Sequence, residues 1–262
     1  MAERAQLEFP PDKKTESVVS KLLDRLLKEK IFNVLWDKVF YYFTFFQNDL
    51  SGLSAGSHNT RGFVIEFGGS GSVDNVGNTG LTIVTDTAAN AVTLIQHQPL
   101  AQQILRWDRR QKFRVLINAQ DITDSLGASD TNSLVYFTVG RTDTTVDAHY
   151  GFRIEGSTLQ GTAGNGDTDA FVTLETGLLN SGINALEAVF LPGEKVIFSI
   201  ADTAGIYIER GVITTALPSS DTTTSAPYSP PFHSTMFNFW VKTLDAKART
   251  VNCTYFEYIQ ER

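Results

Sequence analysis

The sequence predicts an all-β fold, a sandwich of two packed sheets preceded by one amphipathic helix. Three observations carry that reading. Beyond position 48 no segment keeps a helical period, and short apolar runs recur between clusters of Gly, Asn, Asp and Ser, as strands recur between turns. Two of these runs alternate strictly. Phe113, Val115 and Ile117 oppose Lys112, Arg114 and Asn118 along one, and Val135, Phe137 and Val139 share a face along the other. Finally, an apolar stripe before position 40 repeats every four residues and is widened at Leu22 and Leu26, the i, i+3, i+4 pattern of one helix face.

Taken in order, residues 1–14 are polar, contain Pro10-Pro11 and form a tail. Thr15 is a candidate N-cap, and Glu16 suits the first turn of a helix, where a carboxylate meets exposed amides. A helix is predicted over 15–40. Val19, Leu23, Leu27, Ile31, Leu35 and Val39 form its ridge, widened by Leu22 and Leu26, while Lys21, Asp24, Arg25, Lys28 and Glu29 take the solvated side. A helix of about 25 residues gains most of its stability from packing, so the stripe needs a cover. We expect copies of the same chain to supply it, giving a homotrimer held by Val19, Leu22, Leu23, Leu26, Leu27, Ile31 and Leu35. Lys30 and Asn33 break a strict heptad, which favours a short bundle over a long coiled coil.

The sandwich is predicted over 41–262. Val39 to Phe46 is already β-branched and aromatic and reads as a strand. Further strands are expected at 63–67, 81–85, 91–96, 150–155, 171–175, 186–191, 195–200, 235–243 and 250–259. So many strands require two packed layers, because one open sheet of that width would curl. Pro192-Gly193 between two such runs marks a hairpin. Gly68-Gly69-Ser70-Gly71-Ser72 lacks the Lys-Ser/Thr and the following helix of a phosphate cradle, and reads as a flexible turn. Residues 219–234, rich in Thr, Ser and Pro, read as a long surface crossing.

Composition narrows function. Hydrophobic residues make up 42% and charged residues 19%, enough apolar material for one large core. The formal net charge of −7 opposes a phosphate backbone, so nucleic acid is not an expected partner. The one dense basic run, Arg106 to Lys112, reads as a solvated corner. Cys253 is the sole cysteine, which excludes an intrachain disulfide and a Cys-rich zinc site and suggests a buried thiol. The N-terminal residues resemble neither a secretory signal nor a membrane span, so folding in a reducing cytoplasm without membrane insertion is expected. Asn252-Cys253-Thr254 is then a chance match to the glycosylation pattern.

His149-Tyr150-Gly151-Phe152-Arg153-Ile154-Glu155, the run Leu186 to Phe198 and the closing Ala248 to Phe256 are similar to the concanavalin A-like lectin and glucanase jelly roll, in the form carried by virus and phage particles. The resemblance spans about Gly62 to the C-terminus. It implies a structural protein on the exterior of a virus or phage particle, made in the host cytoplasm, with other virion proteins as partners. The alternative it implies is a carbohydrate-binding adhesin or receptor-binding protein that takes a cell-surface glycan.

Glycosidases of this family carry Glu-x-Asp-x-x-Glu on one strand, and no such motif occurs here, so a glycoside hydrolase is the weakest reading. His58, His97, His149 and His233 lack metal-ligand spacing, and no Gly-x-Ser-x-Gly elbow appears. The expectation is a non-enzyme with no cofactor and no metal. Asp121, Asp124, Asp130 and Asn132, and Asn165, Asp167 and Asp169, offer calcium-type oxygens but read first as turn chemistry. Sugar binding calls for an aromatic platform with polar neighbours, and Trp107, Tyr150 and Tyr228, with His149 adjoining, are the candidates. Trp36 and Trp240 read as core or interface.

Overall fold

The structure, a computed structural model, describes residues 38–44, 53–60, 63–75, 81–97, 105–124, 132–140, 148–177, 183–219, 232–233 and 237–261. Val39–Glu261 forms one compact unit; a second, Met1–Lys38 with Arg262, lies outside the described residues except for Lys38. The tail, the stripe from Val19 to Leu35 and Tyr228 therefore fall outside them too.

In chain order the strands are β1 Lys38–Thr44, β2 Leu53–Thr60, β3 Phe63–Asn75, β4 Leu81–Val84, β5 Val92–His97 and β6 Leu105–Arg106. Then come β7 Gln111–Asp124, β8 Ser133–Gly140, β9 His149–Glu155, β10 Thr158–Gly164, β11 Asp169–Thr176 and β12 Ile183–Leu191. The last are β13 Lys195–Ala201, β14 Tyr207–Ile213, β15 Phe232–His233, β16 Phe237–Thr243 and β17 Arg249–Glu261. No helix among the described residues is long and apolar enough to cross a membrane. β1 corrects the predicted end of the helix at 40: Lys38–Phe40 are strand. Runs of β-branched and aromatic residues favour extended backbone over helix.

One hydrogen-bonded path runs β11-β10-β9-β8-β16-β5-β3-β4-β17-β7-β12-β13-β14, with β1 joined to β17 and β2 to β3. It doubles back at β3 into two antiparallel layers, the sandwich the sequence predicts. Phe63–Phe67 pair with β5 in the first layer, and Ser72–Asn75 pair with β4 in the second. The glycine-rich run at 68–72 sits at this change of partner, inside a strand and not in the predicted turn. Gly69 takes φ +89, which side-chain-bearing residues seldom adopt, and Ser70 donates its N–H to Asp86 Oδ2 at 2.7 Å. Glycine here bends a strand so that it serves both layers.

The gap between the layers is filled by alternate residues. Phe113, Val115 and Ile117 of β7, and Val135, Phe137 and Val139 of β8, are fully buried, as their spacing predicts. Phe152 of β9 meets Phe198 of β13 edge-on across the gap, ring centres 5.7 Å apart. β17 changes phase: Val251 and Cys253 are buried, then Phe256 and Tyr258. The register slips between Cys253 and Tyr255, and this bulge returns the later residues to the inner face. Leu186–Leu191 and Lys195–Ile200 form the expected hairpin, with Leu191 opposite Lys195.

Candidate functional site

The sequence's ligand candidates turn inward. Trp107 is 1% exposed and stands edge-on to Tyr150 and Phe190, at 6.1 and 5.8 Å, while Tyr150 and Phe190 stack at 5.3 Å. These rings cap one end of the core, which corrects their expected role: a platform must show a face, and these faces are covered by one another. The arginines around Trp107 had suggested exposure. They are at the surface, with Arg106 paired to Asp108 at 2.8 Å, while the indole points in.

Alternate residues of β9 face outward, and there the register assembles a polar patch. Thr173 of β11, Gln160 of β10, Arg153 of β9, Tyr136 of β8, Trp240 of β16 and Leu94 of β5 lie in one cross-strand row on the outer face of the first layer. Asp169, Gly164 and His149 lie in another, and Phe171 stands between the two. Phe171 is 42% exposed. The Arg153 guanidinium lies 4.4 Å from the Phe171 ring centre and 5.7 Å from that of Tyr136, a cation sandwiched by two aromatics. Its terminal nitrogen pairs with Glu155 at 2.9 Å. Farther in, Leu94, Tyr136 and Trp240 form a small apolar cluster, which places Trp240 as sequence analysis expects. Burial is the main reason the Tyr136 hydroxyl is pushed up to about 12, with Arg153 opposing it.

His149 is fully buried in this outer layer of side chains. Its Nε2 lies 2.9 Å from Thr162 Oγ1 and its Nδ1 3.9 Å from Asp169 Oδ1. Gly164 leaves the room for this approach. A Cβ there would lie 2.4 Å from Asp169 Oδ1 and 2.6 Å from His149 Cε1. Burial raises the Asp169 carboxyl above its usual value, against the opposing pull of His149 and Arg153.

Four buried hydrogen-bonding atoms in these rows have no partner among the described residues: Arg153 Nε, Gln160 Oε1, Asp169 Oδ1 and Trp240 Nε1. Such buried atoms cost about 1–3 kcal/mol each while unmet. Arg153, Gln160 and Asp169 come from three adjacent strands, and of these the Arg153 guanidinium lies over the exposed Phe171 ring. The sequence offers Asp169 only as a calcium-type oxygen and does not single out Arg153 or Gln160 as contacts. Arg153 and Glu155 show the two-residue spacing of a shared face, but Asp169 was grouped with the turn before it. That turn is made by Asn165, whose Oδ1 accepts from the backbone N–H of Asp167 and of Thr168, both at 2.9 Å, and Asp169 opens β11. The side chain of Asn165 is thus engaged in turn chemistry, as expected. Among the described residues no three His, Cys, Asp or Glu side chains are placed to hold a metal ion.

No family model and no curated protein matches the chain. Among solved structures it is similar to a protein of unknown function from Shewanella oneidensis MR-1, at 16% identity over 86% of this chain and 87% of that one, TM-score 0.54. It is also similar to lectin UEA-II complexed with galactose, at 7% identity over 86% and 100% of the two chains, TM-score 0.51. Arcelin-5, a lectin-like defense protein from Phaseolus vulgaris, matches at 6% identity over 86% and 99%, TM-score 0.50. At these identities the likeness is one of fold, a lectin-like β-sandwich.

Proposed function

We propose that the chain is a carbohydrate-binding protein that holds a hydroxyl-rich ligand against Phe171, on the outer face of β9, β10 and β11. The supporting observation is the exposed Phe171 ring with the Arg153 guanidinium 4.4 Å from its centre, and Gln160 and Asp169 on the neighbouring strands of the same outer face. A sugar offers hydroxyls that both donate and accept, beside C–H faces that lie on an aromatic ring. The guanidinium donates to a hydroxyl oxygen, and the amide and carboxylate oxygens accept from hydroxyl hydrogens. Binding without turnover is the whole of the proposed activity. The lectin-like fold sets the ligand class to try first, since galactose accompanies one of the similar structures.

A broad glycan array tests this reading, followed by titration of Phe171→Ala and Gln160→Ala. Loss of one aromatic face or one hydrogen bond should weaken binding about tenfold, at about 1.4 kcal/mol per decade. An array with no bound glycan sinks the reading. A place on the exterior of a virus or phage particle, with assembly as a homotrimer through residues 15–40, is the setting the sequence suggests for such a protein. Sedimentation of the full chain against one lacking residues 1–40 tests that assembly, and equal monomer masses would remove it.

A further inference from the structure

The charges around Phe171 point to a preference within the glycan class, an inference that rests on the proposed carbohydrate site. Beside Phe171 the patch holds a cation, Arg153, with the amide of Gln160 and the carboxyl of Asp169 on the neighbouring strands of the same face. An anionic sugar group brings acceptors only. It could meet the guanidinium, but it would face the Asp169 carboxyl of β11. Arg153 would be the natural seat for such an anion, and that seat is taken. Glu155, two residues along β9 on the same face and 49% exposed, holds a terminal nitrogen of Arg153 at 2.9 Å. Asp167, exposed in the turn before β11, adds a further carboxylate on this edge.

We infer that the patch selects uncharged over acidic glycans, and that Glu155 is the specificity-determining residue, masking Arg153 from carboxylate and sulfate groups. Glu155 sets the choice through Arg153 and is not itself a contact for the neutral ligand. The mask is local and electrostatic. Removing a unit charge about 5 Å from a ligand anion near the surface changes affinity roughly tenfold. Glu155 is half exposed while the Arg153 side chain is mostly buried and also held between two aromatic rings, so Glu155→Gln costs some stability but leaves Arg153 in place.

The test compares full-length wild type, Glu155→Gln and Glu155→Asp on one array of neutral, sialylated, glucuronate-bearing and sulfated oligosaccharides, with melting temperatures to verify folding. Wild type should bind neutral sugars in preference. Glu155→Gln should raise the acidic-to-neutral affinity ratio by roughly tenfold, and Glu155→Asp, which keeps the charge, should restore rejection. Wild type binding acidic glycans as well as neutral ones overturns the inference while leaving a carbohydrate site. So does an unchanged ratio in Glu155→Gln. No binding by wild type to any glycan removes the site itself, and the inference with it.

Discussion

Replacing Tyr150 by Phe should make this protein more stable, although the change removes a polar atom from its core. The Tyr150 ring is fully buried, stacked on Phe190 at 5.3 Å and edge-on to Trp107 at 6.1 Å. Its hydroxyl has no hydrogen-bond partner among the described residues, and burial raises its ionisation well above the usual tyrosine value. A buried polar group without a partner costs about 1–3 kcal/mol, which Phe avoids. Against this stands the small void left by one oxygen, roughly 0.5–1 kcal/mol of lost contact. The net gain is about 0–2.5 kcal/mol, or a rise of up to about 10 °C in melting temperature for a domain of this size. Calorimetry, with urea unfolding to check that the m-value is unchanged, reads it directly. Destabilisation by more than about 1 kcal/mol would mean that the hydroxyl makes a bond the packing does not show. Loss of glycan binding in the same variant would return Tyr150 to the ligand site that its burial denies it.

Other perturbations separate the core from the surface. Phe198→Ala removes a fully buried ring that meets Phe152 across the two layers, and should cost about 3–5 kcal/mol, seen as a large fall in the urea midpoint. For Asp169 the folded carboxyl is raised, chiefly by burial, so its contribution to stability is present below its unfolded value and lost as pH rises through the folded one. Asp169→Asn should therefore melt higher than wild type at pH 7, with the difference shrinking below about pH 4; a lower melting temperature at pH 7 contradicts that sign. Cys253 is buried and its thiol is raised by desolvation, so a thiol reagent at pH 8 should leave the native chain unmodified and label it once in denaturant.

What the sequence disclosed was local. Alternation at 113–117 and 135–139 marked the inner faces, and Pro192-Gly193 marked a hairpin, because each depends on neighbours in the chain. Two backbone devices escaped it. Glycine at 68–72 can equally make a turn or bend a strand, and only the pairing of β3 with both β5 and β4 decides between them. The bulge in β17 shifts the apolar phase by one residue, which a strict period of two misreads. The patch was hidden for a further reason. Arg153, Gln160 and Asp169 come together through the register of β9, β10 and β11, and register is a relation between strands that no single run of residues records. Polar neighbours made Trp107 look exposed, yet on a strand end the adjacent residues point elsewhere.

The most direct measurement of the proposed site is an amide chemical-shift map of the labelled protein during titration with a glycan that it binds. The perturbed amides are expected to cluster at residues 149–176, on β9, β10 and β11, and to vanish in Phe171→Ala. A footprint on β12, β13 and β14 instead, or one that survives the loss of Phe171, would contradict the account.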